Sequence, residues 1–172
     1  RRQRQMCIRD SFETRKDAAA VFNALVRHPL EPDERLPFIA ELESRPDVVE
    51  RCLTGSELGD QTVGNDNTAL TYGTMLREMA RYEPLCRRIV QSPGFAKMFE
   101  YMQAASFEIA SDAAASFREI LTRHKALISE YFESNHVAFF GAYNQMLEKG
   151  NYVTRRQSLK LLSELLLDRA NL

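Results

Sequence analysis

The chain has 172 residues with 23 Lys and Arg against 24 Asp and Glu, for a formal net charge of −1. That balance excludes an overall basic field for nucleic acid or anionic lipid, and 44% hydrophobic with 27% charged residues is the composition of a folded globular chain, not a disordered one. No apolar run reaches the roughly 20 residues that span a bilayer, and the start around Arg1, Arg2 and Arg4 leads into no signal-type apolar core.

In chain order, the first helical pattern is Ser11 onward through Asp17, Ala18, Ala19, Ala20 and Phe22. Four prolines and three glycines between Pro29 and Gly64 predict short helices and a long, mobile loop around Gly55 to Gly64. Asn65, Asp66 and Asn67 form a capping cluster ahead of a helix over 68–81, and Pro84 suits the first turn of the next. Ser92, Pro93 and Gly94 mark a turn before a helix from Phe95 to Met102. Ser106 to Arg123 is periodic in Phe107, Ala110, Ala114, Phe117, Ile120 and Leu121, and a further helix runs from Asn135 to Lys149, closed by Gly150. Asn151 is an N-cap for the last helix. Its band of Val153, Leu159, Leu161, Leu162, Leu165, Leu166 and Leu167 is too broad for one buried stripe, so cover on more than one side is expected.

Internal repetition organises these helices. Ser11-Phe12-Glu13, Asp17, Ala18, Ala19, Ala20 and Phe22 recur 95 residues later as Ser106-Phe107-Glu108, Asp112, Ala113, Ala114, Ala115 and Phe117. Leu76-Arg77-Glu78-Met79 matches Phe117-Arg118-Glu119-Ile120 and then Leu162-Ser163-Glu164-Leu165, at intervals of 41 and 45 residues. Those intervals fall in the window of roughly 40 to 47 residues for armadillo and HEAT units. The fold expected is therefore an all-α, armadillo/HEAT-like α-solenoid filling residues 1–172 as one repeat domain; a plain helical bundle is the alternative. With no initiator Met and an end at Leu172 directly after a leucine-rich helix, the chain reads as a fragment of a longer solenoid.

Catalytic and metal chemistry find little support. His28, His124 and His136 are far apart, with His28 and His124 at nearly equivalent positions past a helix end, where imidazoles cap carbonyls. Nucleophile elbows, phosphate-binding glycine loops and zinc motifs are absent, and Cys7, Cys52 and Cys86 form no CxxC pair, which fits a cytosolic protein without cofactor, metal or small-molecule substrate. The polar stretch from Gly59 to Asn67 lacks the ligand order of an EF-hand, so its Asp60 and Asp66 read as turn and capping residues. One surface invites a functional reading. Tyr152, Arg156 and Lys160 stack at four-residue intervals on the last helix, and the repeat register sets Tyr152 level with Phe107, so the four residues form a mixed aromatic and basic patch in a solenoid. The competing reading makes Phe107 core and both cations merely solvated.

Residues 73–84 (GTMLREMARYEP), 106–112 (SFEIASD), 121–125 (LTRHK) and 151–169 (NYVTRRQSLKLLSELLLDR) resemble the calcium-binding protein 39, or Mo-25-like, scaffold family. Residues 12–27 are similar to an earlier family segment, and the chain departs most from Pro29 to Asn67, where it is longer. The resemblance covers about the central half of the family's length. It implies a right-handed superhelix without enzymatic activity that binds the STRAD pseudokinase and sterile-20-type kinases on its concave face and holds them in an active-like closed state. It further implies that Phe107, Tyr152, Arg156 and Lys160 are concave contact positions, and that the family's pocket for a Trp-Glu-Phe motif lies beyond Leu172. A peptide-binding armadillo adaptor is the alternative function, expected to carry mid-helix Asn ladders where Asn67 and Asn151 read as caps; a small helical enzyme would need a convergent polar site.

Overall fold

A computed structural model describes the backbone of residues 2–27, 37–55 and 66–167 and the side chains of 14, 16–27, 37–55 and 68–167. These residues are helical almost throughout, without a strand: α1 (Arg2–Arg27), α2 (Pro37–Ser44), α3 (Pro46–Thr54), α4 (Asp66–Met79), α5 (Glu83–Gln91), a 3-10 turn (Pro93–Lys97), α6 (Met98–Tyr101), α7 (Phe107–Arg123), α8 (Lys125–Lys149) and α9 (Tyr152–Leu166). The helix α1 packs on α4, α4 on α7 and α7 on α9, so the elements that carry the sequence repeats form one row. A second row, from α2 and α3 through α5, the 3-10 turn and α6 to α8, backs it. The chain is thus a helical-repeat α-solenoid, since each repeat buries its apolar stripe only against its neighbours.

Local chemistry explains the joints. Pro84 stands in the first turn of α5 and Pro93 opens the 3-10 turn, positions where a missing N–H costs nothing. Asn151 caps α9 as expected, its side-chain oxygen accepting from the Thr154 N–H at 2.9 Å. The Gly150 N–H donates to the Met146 carbonyl at 2.9 Å, closing α8. Buried Thr154 in turn donates its hydroxyl to the Met102 carbonyl at 3.2 Å, and Tyr143 of α8 donates to the Ser158 carbonyl of α9 at 2.7 Å.

The rows meet in an aromatic core. Phe99 lies 5.1 Å from Phe117 and 5.4 Å from Phe139, centroid to centroid, with Phe95 and Tyr143 at the periphery. Phe117, the first residue of the repeated Phe-Arg-Glu-Ile motif, is fully buried. Truncating such a side chain to Ala costs on the order of 3 to 5 kcal/mol.

Several expectations need correction. The helix expected from Asn135 begins at Lys125, because Leu127, Ile128 and Phe132 are core residues continuous with Phe139 and Tyr143. Residues 133–138 in its middle are exposed, and Asn135 folds its amide back onto the Tyr131 carbonyl at 3.0 Å, which is the polarity that reads as a break. The expected helix 95–102 is split into the 3-10 turn and the single turn α6. The helix expected over 68–81 runs from Asp66 to Met79, taking Asp66 and Asn67 into its first turn, and α1 continues N-terminal of Ser11 as far as Arg2. On α9, Leu161 and Leu165 are buried, but Val153, Leu159, Leu166 and Leu167 are exposed, so only one side of the apolar band is covered. His28 and most of the Gly55–Gly64 loop lie outside the described residues.

Candidate protein-binding site

Phe107 is the first residue of α7, directly after Ser106, and Tyr152 the first of α9, directly after Asn151; equivalent repeat positions thus open successive helices of one row. Both rings stand out from the surface, Phe107 67% and Tyr152 78% exposed, so the core reading of Phe107 does not hold. Arg156 and Lys160 follow Tyr152 along α9, both exposed, with no acidic side chain engaging either among the described residues. By contrast, the adjacent Arg155 turns back to donate to the Leu147 and Glu148 carbonyls at 2.9 and 3.0 Å, capping the end of α8.

Between α7 and α9 runs a groove of about 230 Å³, lined by Ser111, Ala114, Ala115 and Arg118 on one side and Gln157, Lys160 and Leu161 on the other, with Met102 beneath. Lys160 is the member of the sequence-derived set that borders it.

A ladder of charged pairs ties the row together, built mostly from residues that in the sequence read only as repeat markers. Arg27 of α1 donates to Glu78 of α4 at 2.5 Å; Arg77 of α4 meets Asp112 of α7 at 2.7 Å and Ser116 Oγ at 2.7 Å; Arg118 of α7 holds Glu164 of α9. The recurring Arg-Glu dipeptide was the available signal. Arg27 beside it holds the buried Glu78 carboxyl below the ordinary carboxylate range, against the cost of desolvation. Burial, in contrast, pushes Asp112 up, with Arg77 opposing. Gly73 makes room for this pair, since a Cβ there would stand 1.9 Å from Asp112 Oδ2. His124, at the end of α7, reaches not its own helix but the Ala80 carbonyl after α4, its Nε2 3.0 Å away, so the expected carbonyl capping occurs between repeats.

Other chemistry is sparse. Cys52 and Cys86 are free and buried, and desolvation pushes both thiols up to about 12, which keeps them inert. Among the described residues no three His, Cys, Asp or Glu side chains converge as a metal site, and no helix is long and apolar enough to cross a membrane.

Fold and surface together define a helical-repeat protein with an exposed aromatic and basic face. The sequence profile described as Mo25-like matches residues 5–172, and the chain belongs to that family. It is 44% identical over 160 residues to MO25-like protein 2 of Caenorhabditis elegans and 41% identical over 160 residues to calcium-binding protein 39-like of Mus musculus, in each case covering 93% of this chain and 45% of the relative. It is 42% identical over 160 residues to the degreening-related gene dee76 protein of Auxenochlorella protothecoides, across 93% of this chain and 47% of that one. The chain therefore spans a little under half the length of these relatives. Although the mouse relative's name speaks of calcium, Glu78, Asp112 and Glu164 of the α1–α4–α7–α9 row are each held by an arginine, and among the described residues no three acidic, His or Cys side chains converge as calcium ligands would.

Proposed function

We propose that the chain is a non-enzymatic scaffold that binds a protein kinase or STRAD-like pseudokinase through Phe107, Tyr152, Arg156 and Lys160 and stabilises its active-like closed conformation. The observation that carries this reading is the exposure of two aromatic rings and two cations on adjacent helices of one row. Large exposed aromatics beside arginine are the usual composition of binding hot spots. Membership of the Mo25-like family supports the scaffold role, and the inert Cys52 and Cys86 thiols suit a cytoplasmic location.

Such a scaffold needs no chemistry. A rigid face that prefers the closed arrangement of a kinase domain shifts its equilibrium, and each tenfold shift requires about 1.4 kcal/mol of differential affinity. The alternative of a peptide-binding armadillo adaptor is less favoured, because Asn151 is engaged in capping α9 and the row is laddered by Arg–acid pairs in place of free asparagines. The test is calorimetric titration of a purified STRAD-class pseudokinase domain into the parent chain and Arg156→Glu. Binding by the parent and its loss in the variant are expected; equal binding by both, or none by the parent, would overturn the reading.

A further inference from the structure

We propose that the α7–α9 groove receives a single apolar side chain of the partner, flanked on the partner by a carboxylate that meets Lys160 and Arg156. The proposal deepens the reading above and rests on it. Three observations lead there. At about 230 Å³ the groove is smaller than the roughly 300 to 1,000 Å³ of small-molecule pockets, which suits one side chain rather than a metabolite. Its lining is largely apolar and short, with Ala114 and Ala115 on the α7 side, Leu161 on the α9 side and Met102 beneath, so a ring or branched chain can enter without displacing a large residue.

Charge at the rim fixes the chemistry of what surrounds that side chain. Lys160 borders the groove, Arg156 lies one turn away on the same helix, and no acidic side chain among the described residues engages either. Glu164, the nearby acid, is already taken by Arg118 through two hydrogen bonds, so it neither neutralises Lys160 nor repels an incoming carboxylate. In the repeat register Ala115 stands where α9 carries Lys160, α4 Thr74 and α1 Ala20, so the α7 side of the groove is built from one of the short side chains of the row. Phe107 and Tyr152 stand at the N-terminal ends of the same two helices, Phe107 one turn before Ser111 and Tyr152 two turns before Lys160.

The experiment fills the groove without touching the charges. Ala115 is exposed and Leu is a good helix former, so Ala115→Leu should keep its fold, checked by thermal melting; Ser111→Leu, from the same wall, is the second filling variant. Both are titrated with the same STRAD-class pseudokinase domain, beside Arg156→Glu and the parent, at low and high salt. Filling the groove should weaken binding by roughly tenfold or more while leaving its salt dependence unchanged, and Arg156→Glu should weaken it and flatten the salt dependence. If both filled variants melt like the parent and bind as tightly, while Arg156→Glu fails to bind, the groove is empty in the complex and the proposal is overturned with the scaffold reading intact. If Arg156→Glu also binds as tightly as the parent, the scaffold reading itself fails.

Discussion

Arg118 of α7 grips Glu164 of α9 in a parallel two-pronged geometry, Nε to Oε2 at 2.8 Å and Nη2 to Oε1 at 3.1 Å, and so links the last helix to its neighbour. Bidentate pairs of this kind are the strongest of the surface ion pairs, yet Arg118 is largely exposed and salt screens it. A double-mutant cycle with Arg118→Ala and Glu164→Ala should give a coupling of about 0.5 to 1 kcal/mol that falls in high salt. A coupling of zero at low salt would show that packing alone sets the α7–α9 angle.

The Arg27–Glu78 rung is of a different kind, because the carboxylate is only 5% exposed. Glu78→Gln should lower stability at neutral pH by about 1 to 3 kcal/mol, the range for a hydrogen bond to a buried charge. Folding lowers this carboxyl's pKa, so near its ordinary value of about 4.3 the unfolded chain binds more protons and stability rises with pH. The contribution is therefore complete above that value and lost as pH falls through the lower folded one. Denaturant titrations of parent and variant should differ most near pH 7, and the gap should narrow as pH falls below about 4.3; a gap that does not change with pH would mean that the side chain acts by packing.

Gly73→Ala tests the close approach of α4 and α7. Helix propensity favours the substitution by about 1 kcal/mol. Against that, the new methyl would force the Asp112 carboxylate off Arg77, and overpacking of this kind costs roughly 1 to 3 kcal/mol. The melting temperature should fall. A rise would show that Asp112 can swing aside freely.

Phe107 and Phe117 lie ten residues apart on one helix and should behave oppositely when cut to Ala. Phe117→Ala should cost about 3 to 5 kcal/mol of stability, whereas Phe107→Ala should change it by no more than about 0.5 kcal/mol and weaken pseudokinase binding instead. Urea melts and the binding titration separate the two effects. An unfolded or strongly destabilised Phe107→Ala chain would remove Phe107 from the candidate face.

The sequence by itself determined what is encoded within a turn or two of chain. Apolar period, Pro84, Pro93 and the Asn151 cap mark helices and their ends because propensity and capping act between near neighbours, and the recurrence of Ser-Phe-Glu and hydrophobic-x-Glu segments sets which helices are equivalent. The polar stretch around Asn135 misled for the same reason: it is locally unfavourable, yet Phe132 and Phe139 on either side are both anchored in one distant core. Only the tertiary structure decided which acid each arginine takes. Arg77 passes over its neighbour Glu78 for Asp112, and Arg118 passes over Glu119 for Glu164, 46 residues away. Adjacent residues on a helix point about 100° apart, so the dipeptide cannot pair with itself; its partners are chosen by the distance and rotation at which the next helix packs. The same packing leaves Ala115 facing an open groove and Phe107 in solvent, and neither follows from any window of sequence shorter than a whole repeat.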